Sequence, residues 1–567
     1  MDRINKPYFP LLFLIVLVLV FSCQSGTPDP KENDIVQRIE QIDVRKARNI
    51  EQAIRFALQN SGRINDTVRL RLDTLVNIIY QKNDYRPLWS HEETLLITAD
   101  SLINFVEGAK EYGLFPSDYH NKTLHGLQQI LLQDSAARKN AALWARTDLI
   151  LTDALLLASK HLKQGRLQYD SVTLRTDTVL TDSFYFKVLA DLAYSKNVRS
   201  VLHNLEPRHT GYDSLKIGLK FFLDSIQTFK RLTHVIYPNK DTAVLNAQLK
   251  KRFFEEDILP SSTEPLDTTA WRVAFSTYQK AKGLKVTGRI NENTVNNLNN
   301  TDWEKFKQIA INLDRFKLLP DTMPERYIWV NIPSYYMKLI EDDTMVFKSR
   351  IVVGKPLTRT PLLTSRITDM ITYPQWTIPT SIIVKEVLPG VKKNPDYFTK
   401  HGYSIIDDDG NEVSPDSVNW KKYTKGIPYK VIQGSGDANA LGILKFNFSN
   451  KYAVYLHDTN QRYLFRETNR SLSHGCVRVQ EWQKLANYLI ANDSLARKTP
   501  GNFIGSDSLN AWLARKEKHY LPVRSRLPLY IRYFSCEGIN GKVKFYEDIY
   551  KEDKTLREKY FADKSIQ

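Results

Sequence analysis

Two short segments hold the residue types that covalent chemistry needs. Residues 473–479 (SHGCVRV) contain a cysteine, and residues 457–459 (HDT) place His457 nineteen residues before Cys476. A thiol becomes a nucleophile when it loses its proton, and a neighbouring histidine can accept that proton. Gly475 has no Cβ, so the backbone N–H groups around Cys476 could approach an oxyanion. The pattern predicts covalent catalysis by a cysteine nucleophile with a histidine base.

The same residues have two other interpretations that the sequence leaves open. Cys476 could be a buried structural thiol, or it could bind zinc together with His457 and His474. Zinc sites usually have four ligands, and no fourth is evident here, so no metal or cofactor is predicted. The other two cysteines are Cys23 and Cys536, too few for a disulfide scaffold or a multi-cysteine metal cluster. We expect Cys536 to be a buried bystander.

A β-rich segment must position the two motifs. Alternating apolar residues predict strands at 327–332, 336–340, 345–354, 445–448, 453–456, 527–534 and 542–547. His457 ends one of these strands, and Gly475 precedes the start of a new element. A stretch of mixed character, 381–433, interrupts the strands. So long an insertion in a sheet domain is typical of a lid or a binding loop.

The region before the strands has helical periodicity. From residue 35 to about 235, apolar residues recur at helical spacing and prolines are sparse, which predicts a scaffold without chemistry of its own. Residues 236–300 predict a small three-helix unit, in which Gly283 ends one helix and Asn291 caps the next. Together the patterns predict a multidomain α+β protein.

Part of the three-helix unit resembles the helical peptidoglycan-binding domain type 1. The resemblance rests on shared turn and core residues: Tyr278-Gln279, Gly283-Leu284, Gly288 and Thr294. It implies binding of a sugar polymer. The same residues also suit the core of any helix–turn–helix unit, so pure scaffolding remains the alternative.

The N-terminus predicts export and a membrane anchor. Arg3 and Lys6 precede an apolar run at 8–21. The run has about 14 residues, fewer than the roughly 20 that span a membrane. The junction before Cys23 resembles a bacterial lipoprotein cleavage site, which implies a periplasmic, membrane-anchored lipoprotein lipidated at Cys23. The alternative, an uncleaved anchor helix, also leaves the rest of the chain outside the cytoplasm.

Composition narrows the partners. The 567 residues are 42% hydrophobic and 25% charged, as in ordinary globular proteins, and carry a formal charge of +17. This charge favours an anionic partner, with a solvated basic surface as the alternative. Lysine and arginine form no dense block or nucleic-acid module, so no nucleic-acid partner is predicted. The absence of a glycine-rich phosphate loop excludes a P-loop NTPase.

The motifs of the β-rich segment together resemble the L,D-transpeptidases of the YkuD family, especially the larger YcbB-like members. Those enzymes have a strand ending in His-Asp-Thr or His-Gly-Thr, followed by Ser-His-Gly-Cys-x-Arg-Val. Both motifs stand here at 457–459 and 473–479. Further blocks match in the same order: YIWVNIP at 327–333, VGKP at 353–356 with TP at 360–361, PQWTIP at 374–379 and NALG at 439–442.

The resemblance implies a cysteine acyltransferase that acts on peptidoglycan stem peptides. Cys476 would attack a donor tetrapeptide, release D-alanine and form a thioester, which an acceptor amine would convert into a 3→3 cross-link of the cell wall. The implied inhibitor is a carbapenem, and the implied protein partners are cell-wall synthesis proteins.

The resemblance also implies residue roles. His457 would be the general base, His474 a supporting residue and Gly475 part of the oxyanion region. The implied substrate-binding residues are Arg478, Tyr455, Trp376 and Asn439, with Arg478 facing a substrate carboxylate. The alternatives are a structural hydrogen bond for His474, an ion pair within the domain for Arg478, and core packing for the two aromatic residues.

The sequence thus predicts a series of segments: an export signal (1–22), a flexible linker (23–45), a helical scaffold (46–235), a peptidoglycan-binding-like unit (236–300), a scaffold return (301–325), a mainly-β YkuD-type catalytic domain (326–500) with a substrate-capping insertion (381–433), and a C-terminal scaffold segment (501–567). Two other functions stay compatible with it. One is an L,D-carboxypeptidase with the same site and water as the acceptor. The other is a non-enzymatic wall-binding lipoprotein that holds glycan through 236–300.

Overall fold

The computed structural model describes residues 28–167, 179–226, 229–230, 232–495 and 505–562. The described residues form two compact units. One holds 28–164 and 179–206, and the other holds 165–167 and the described residues from 207 onwards. The predicted signal 1–22 and lipidation site Cys23 lie outside the described residues. Among the residues that are described, no helix has both the length and the apolar character needed to cross a membrane.

The first unit is helical. Its α-helices are Ile42–Gln59, Asp73–Lys82, Ile97–Glu107, Asn121–Gln133, Ser135–Arg138, Ala141–Lys163, Asp182–Ser195 and Val198–His203, and its short strands are β1 (Ser90–His91) and β2 (Thr94–Leu95). Helix Ala141–Lys163 is buried along nearly its whole length. Its buried Asp148 and Asp153 accept hydrogen bonds from the backbone N–H groups of Leu88, Trp89, Arg71 and Leu72. These carboxylates hold loops against the central helix.

The predicted flexible linker, residues 23–45, is too long. The backbone N–H of Asp34 donates to Asn140 Oδ1 at 2.9 Å, and the first α-helix begins at Ile42. Val36 and Ile42 are buried in a small core that contains Trp144. The apolar side chains of this segment therefore fix residues 34–45 to the first unit.

The predicted scaffold, residues 46–235, is also too long. Helix Thr210–Asp224 belongs to the second unit, where it packs closely on the strands β17 (Cys536–Ile539) and β18 (Lys542–Phe545). A Cβ atom at Gly538 would lie 1.9 Å from the Ser214 carbonyl oxygen, so only glycine allows this approach. The first compact unit ends near residue 206 because the following helix packs on the C-terminal hairpin.

Three helices, Thr242–Glu255, Thr268–Ala281 and Glu292–Asn299, surround one small core in the segment predicted as peptidoglycan-binding-like. Gln279 is fully buried, and its amide binds the turn between the last two helices. It accepts from the N–H groups of Thr287 and Gly288 at 2.8 and 3.0 Å and donates to Thr294 Oγ1 at 2.9 Å. The residues that carry the resemblance thus have a structural task here.

The remaining elements of the second unit include the helices Asp302–Phe316, Thr380–Ile382, Leu388–Lys393, Tyr397–His401, Trp482–Leu495, Ser506–Ala514 and Glu552–Tyr560. The strands are β3 (Arg326–Asn331), β4 (Tyr336–Glu341), β5 (Thr344–Gly354), β6 (Leu363–Thr372), β7 (Trp376–Thr377), β8 (Tyr403–Ile406), β9 (Glu412–Val413), β10 (Lys430–Gln433), β11 (Leu444–Phe448), β12 (Leu456–His457), β13 (Ser471–Ser473), β14 (Val477–Val479), β15 (Tyr520–Pro522), β16 (Pro528–Arg532), β17 and β18.

The main sheet closes on itself. Its strand order is β11-β12-β14-β5-β4-β3-β16-β6, and β6 also pairs with β11, so the first and last strands of this series meet. The predicted strands at 327–332, 336–340 and 345–354 are confirmed by β3, β4 and β5. The strand predicted at 453–456 is wrong, because Ala453 has a left-handed backbone (φ 53°) and pairing begins only at Leu456.

The C-terminal segment 501–567, predicted as scaffold, contributes to this sheet. Strand β16 lies between β3 and β6, parallel to the first and antiparallel to the second, and β15 pairs with β6. The segment predicted as a scaffold return, 301–325, contains helix Asp302–Phe316, which binds the chain beyond β16 through Asn312 and Ser535. Both segments therefore belong to the β-rich unit, because the closed sheet needs their strand and their apolar surface.

The insertion has a fold of its own. It begins at β7, at Trp376, rather than at 381, and it runs to the end of β10 at Gln433. Its strands form a separate four-stranded sheet in the order β7-β10-β8-β9, packed on the short helices 380–393 and 397–401 around their own core. The insertion starts earlier than predicted because its first strand residue, Trp376, pairs with Gln433 in its last strand.

Replacing Leu529 tests the structural role of β16. Leu529 is fully buried, so we expect Leu529→Ala to lower the free energy of unfolding by about 2–5 kcal/mol. The matched control is Leu357→Ala, since Leu357 is 93% exposed in the same unit; we expect about 0.5 kcal/mol or less. Urea-dependent hydrogen exchange of β3 and β6 measures both. Equal effects of the two variants would contradict the placement of β16 inside the sheet.

Candidate active site

The parallel pairing of β12 with β14 brings the two motifs together. Leu456 lies opposite Val477, and His457 lies opposite Arg478. Leu456 and Val477 are both fully buried in the core of the sheet. Because side chains alternate along a strand, His457 and Arg478 project from the opposite face, and Cys476, two residues before Arg478, shares that face. The nucleophile and base predicted from the sequence therefore stand on one surface.

Tyr455 lies on the same face as Cys476, His457 and Arg478. It lies two residues before His457, and its carbonyl accepts from the N–H of Val477 at 3.1 Å, which places it beside Cys476. Its ring centroid is 5.6 Å from that of His457, in an edge-on contact. Burial, followed by the Cys476 charge, raises the pKa of Tyr455. The hydroxyl therefore keeps its proton and can donate it in a hydrogen bond.

The loop before the nucleophile is held by three hydrogen bonds. Gly475 has φ 123°, a conformation that favours glycine. Its N–H donates to Ser473 Oγ at 3.1 Å, and its carbonyl accepts from Thr360 Oγ1 at 2.8 Å. Ser473 Oγ also donates to the carbonyl of Cys476 at 2.6 Å. The N–H of Gly475, predicted to lie in the oxyanion region, is thus already bonded within the loop.

The Cys476 thiol is partly exposed and is a free cysteine. Burial of the sulfur raises its pKa above the usual value. Hydrogen bonds from the backbone and hydroxyl of Tyr455 and the charges of Lys445 and Arg478 oppose this effect without cancelling it. The thiol is therefore protonated at neutral pH and needs a base.

His457 meets that need as a neutral imidazole. Its side chain is buried, and burial together with the positive charges of Arg478 and Lys445 lowers its pKa to about 3. Its Nδ1 atom is buried and has no hydrogen-bond partner. A neutral ring with an unbonded nitrogen can accept a proton from a neighbouring group. Such a ring suits the predicted role of a general base and does not form an imidazolium–thiolate pair with the protonated thiol.

Arg478 has polar neighbours but no acidic one. One guanidinium nitrogen donates to Thr459 Oγ1 at 3.3 Å and to Gln461 Oε1 at 2.8 Å, and Nε is buried without a partner. Within the described ranges, no carboxylate oxygen lies within 4.0 Å of this guanidinium. The ion pair that was the alternative interpretation is thus not formed among these residues. The side chain is suited to an external carboxylate.

Trp376 and His474 connect the site to the insertion. Trp376 is the first residue of β7, packs on the core of the insertion, and has a buried indole N–H that interacts with the Tyr455 hydroxyl. The exposed ring of His474 binds the carboxylate of Glu386, in the π-helical turn 383–387 of the insertion. His474, predicted as a supporting residue, thus joins the nucleophile loop to the insertion.

Asn439, predicted as a substrate-binding residue, has a structural role. It is 1% exposed, and its amide nitrogen donates to the carbonyls of Pro374, Gln433 and Gly434 at 3.2, 3.4 and 2.8 Å. Its Oδ1 accepts from the N–H of Leu441 at 2.8 Å. The amide therefore holds the two ends of the insertion together, and the proposed contact of Asn439 with substrate stays a prediction.

Sequence reasoning missed Lys445. This residue lies opposite His457 in the pairing of β11 with β12, and its Nζ atom is 4.1 Å from the ring centroid of Tyr455. Leu444 and Phe446 on either side are fully buried. The alternation along this predicted strand was a usable signal, because it places residue 445 on the face opposite the core. The sequence does not show that β11 pairs with β12, and this pairing is what places Lys445 opposite His457.

Cys536 is confirmed as a buried bystander. Its side chain is fully buried, it is a free thiol, and its Sγ lies 3.9 Å from the carbonyl oxygen of Gln308. It forms no disulfide with Cys476. Among the described residues, no group of three or more His, Cys, Asp or Glu side chains is arranged to hold a metal ion.

Comparison with known proteins shows what the β-rich part of the chain is similar to. A family model for the L,D-transpeptidase catalytic domain, YkuD, matches residues 325–497 and so includes all the site residues described above. Residues 325–497 are thus similar to the catalytic domains of YkuD-family L,D-transpeptidases. A scaffold-domain model matches residues 74–219.

A curated Haemophilus influenzae protein named "Putative L,D-transpeptidase" is 37% identical to the chain over 252 residues. The match covers 44% of this chain and 49% of that protein, so it spans about half of the curated relative. A solved structure described as "Structure of the Ldtfm-avibactam carbamoyl enzyme" aligns with 39% of this chain and 61% of its own, at 13% identity and a TM-score of 0.15. Similarity this low adds nothing to the assignment of the L,D-transpeptidase domain.

The protonation states predict a specific pH dependence for Cys476. Because the thiol pKa is raised and His457 stays neutral, we expect alkylation of Cys476 by iodoacetamide to be slow at neutral pH and to accelerate above about pH 8. Peptide mapping by mass spectrometry isolates Cys476 from the other cysteines. A rate plateau between about pH 5 and 7 would reveal an imidazolium–thiolate pair and contradict the general-base assignment.

Proposed function

We propose that the protein is a peptidoglycan L,D-transpeptidase that forms 3→3 cross-links through a cysteine acyl-enzyme. The observation that carries the proposal is the shared face of β12 and β14. A protonated thiol, a neutral buried imidazole and an arginine without an acidic partner stand there side by side. The L,D-transpeptidase family model over this domain supports the reaction class.

In the first half-reaction, His457 takes the proton of Cys476 as the sulfur attacks the donor carbonyl, next to the terminal D-alanine of a tetrapeptide stem. The tetrahedral oxyanion receives a hydrogen bond from the backbone N–H of Cys476, since that of Gly475 is bonded to Ser473. His457 returns the proton to the leaving amine. D-alanine departs and a thioester remains on Cys476.

In the second half-reaction, the side-chain amine of an acceptor stem attacks the thioester. His457 accepts the proton lost by the amine, the carbon–sulfur bond breaks, and the thiolate of Cys476 leaves and takes up that proton. The new amide joins the two stems. With water in place of the amine, the same steps give a tripeptide, so the acceptor alone separates transpeptidation from carboxypeptidation.

Arg478 is the proposed contact for a carboxylate of the donor stem. Its unbonded Nε and its position on the same face as the thiol leave a directed donor next to the reacting carbonyl. The aromatic side chains of Tyr455 and Trp376 border the same region. The insertion, joined to the nucleophile loop by Glu386 and His474, would cap the bound stem.

The proposed location is the periplasm, with a lipid on Cys23 anchoring the protein to a membrane. The apolar run at 8–21 and the cysteine that follows it support this proposal. Peptidoglycan stems carry carboxylates, and the formal charge of +17 would concentrate them near the protein. Cell-wall synthesis proteins are the proposed protein partners, and a carbapenem is the proposed covalent inhibitor.

Cys476→Ala tests the acyl-enzyme. Wild type incubated with disaccharide tetrapeptides should give cross-linked dimers and free D-alanine by mass spectrometry, and Cys476→Ala should give neither. A carbapenem should add its mass to Cys476 in the wild type only. The control is Cys536→Ala, which removes the buried thiol. Tripeptides without dimers would identify a carboxypeptidase, and turnover by Cys476→Ala would exclude this nucleophile. No product from either protein would favour a wall-binding lipoprotein.

Arg478→Gln tests the carboxylate contact. We expect KM for the donor to rise about 10- to 100-fold, with a smaller fall in kcat, because a charge-assisted hydrogen bond contributes about 1.5–3 kcal/mol to binding. Arg466→Gln is the matched control, since Arg466 is exposed on the neighbouring segment. Steady-state kinetics with the disaccharide tetrapeptide measures both. An unchanged KM in Arg478→Gln would remove Arg478 from substrate binding.

A further inference from the structure

Lys445 occupies a position that the proposed mechanism leaves unexplained. On β11 it stands directly opposite His457, and its two neighbours Leu444 and Phe446 are buried in the core. Its side chain therefore extends over the face that carries the thiol. Its ammonium nitrogen lies 4.1 Å from the centre of the Tyr455 ring, within the range of a cation–π contact.

No carboxylate neutralises this ammonium. Among the described residues, no Asp or Glu oxygen lies within 4.0 Å of Lys445 Nζ. Asp369, the acid whose charge acts on Lys445, is itself bound by Thr368 and Asn447. Burial lowers the pKa of Lys445. A half-buried cation without an acidic partner costs free energy, so its placement beside a nucleophile indicates a functional use.

We propose that Lys445 is a positioning residue for the nucleophile: its ammonium holds the Tyr455 ring beside Cys476 and stabilises the thiolate that forms when His457 takes the proton. The inference rests on the proposed role of Cys476. It concerns the activation of the sulfur and adds no contact to substrate.

The surroundings of the sulfur favour this role for Lys445 over the other charged groups. The groups that act on the thiol are Tyr455, Lys445 and Arg478, and the neutral His457 shares their face of the sheet. Arg478 is bonded to Thr459 and Gln461. Tyr455 donates a hydrogen bond but carries no charge. The Lys445 charge lowers the pKa of Cys476, in agreement with the geometry.

The test measures thiolate formation without any substrate. The full chain is treated with iodoacetamide, an uncharged reagent, at pH values from about 6 to 10, and alkylation of Cys476 is followed by peptide mapping. We expect Lys445→Met to react about tenfold more slowly at pH 7, with its profile shifted by about one pH unit to higher pH. Lys445→Arg should stay close to the wild type because it keeps the charge.

Lys348→Met is the matched control. Lys348 lies on β5 of the same sheet and stacks on Tyr336, with Nζ 3.8 Å from the ring centroid, so this variant also removes a lysine from a tyrosine ring. We expect a wild-type profile from it. Equal profiles for Lys445→Met, Lys348→Met and the wild type, or an equal shift in Lys445→Met and Lys348→Met, would overturn the proposal.

Folding is checked by circular dichroism, and Lys445→Gln carries the same test if Lys445→Met does not fold. The result is separable from the proposed function. If Cys476→Ala still forms product, the nucleophile assignment fails, whereas the alkylation profile still reports whether Lys445 acts on the thiol at position 476.

Discussion

The register between β12 and β14 is the constraint on which the site depends. Two residue pairs, Leu456 with Val477 and His457 with Arg478, decide which side chains enter the core. A slip of one residue would turn Cys476 towards the core and Val477 towards solvent. The register is supported by β5, which pairs with β14 on its other side, and by the Thr360 contact that fixes Gly475. The chemistry therefore depends on the closed sheet rather than on the short strands alone.

The electrostatics of the site follow from this placement. The sheet brings Lys445, His457 and Arg478 to one half-buried surface, where burial and then the charges of the two cations lower the pKa of His457 and keep the imidazole neutral. Two cations on a half-buried surface cost free energy unless negative charges lie beside them. The proposed reaction supplies two negative charges, the thiolate and the carboxylate of the stem peptide. The neutral base, the protonated thiol and the arginine without an acidic partner are thus consequences of one arrangement.

Local sequence signals identified the residues of the site where motif and strand coincide. The motifs that contain Cys476 and His457 could be recognised locally, and the parallel pairing of β12 with β14 places both residues on one surface. The structural hydrogen bonds of Asn439 were not predicted, since an asparagine beside a turn glycine suits a structural hydrogen bond and a substrate contact equally well. Lys445 was missed because its importance arises only from the pairing of β11 with β12.

Long-range pairing also explains the errors in the fold. The sequence indicated strands after residue 520, yet no local pattern shows that β16 belongs between β3 and β6. In the same way, helix Thr210–Asp224 looks like its predecessors in sequence, and only its contact with the C-terminal hairpin assigns it to the second unit. The order of strands in a sheet depends on tertiary contacts, and the apolar periodicity of the sequence does not reveal it.

Strand β16 is among the last parts of the chain to be synthesised, and this affects when the main sheet can close. Its partner β3 is complete about 200 residues earlier in the chain, so a growing polypeptide carries an open sheet edge until the last strand emerges. The insertion, with its own core, can fold during that interval. The main sheet can close only after β16 has been synthesised. The closed sheet that supports the thiol therefore needs residues from the last tenth of the chain.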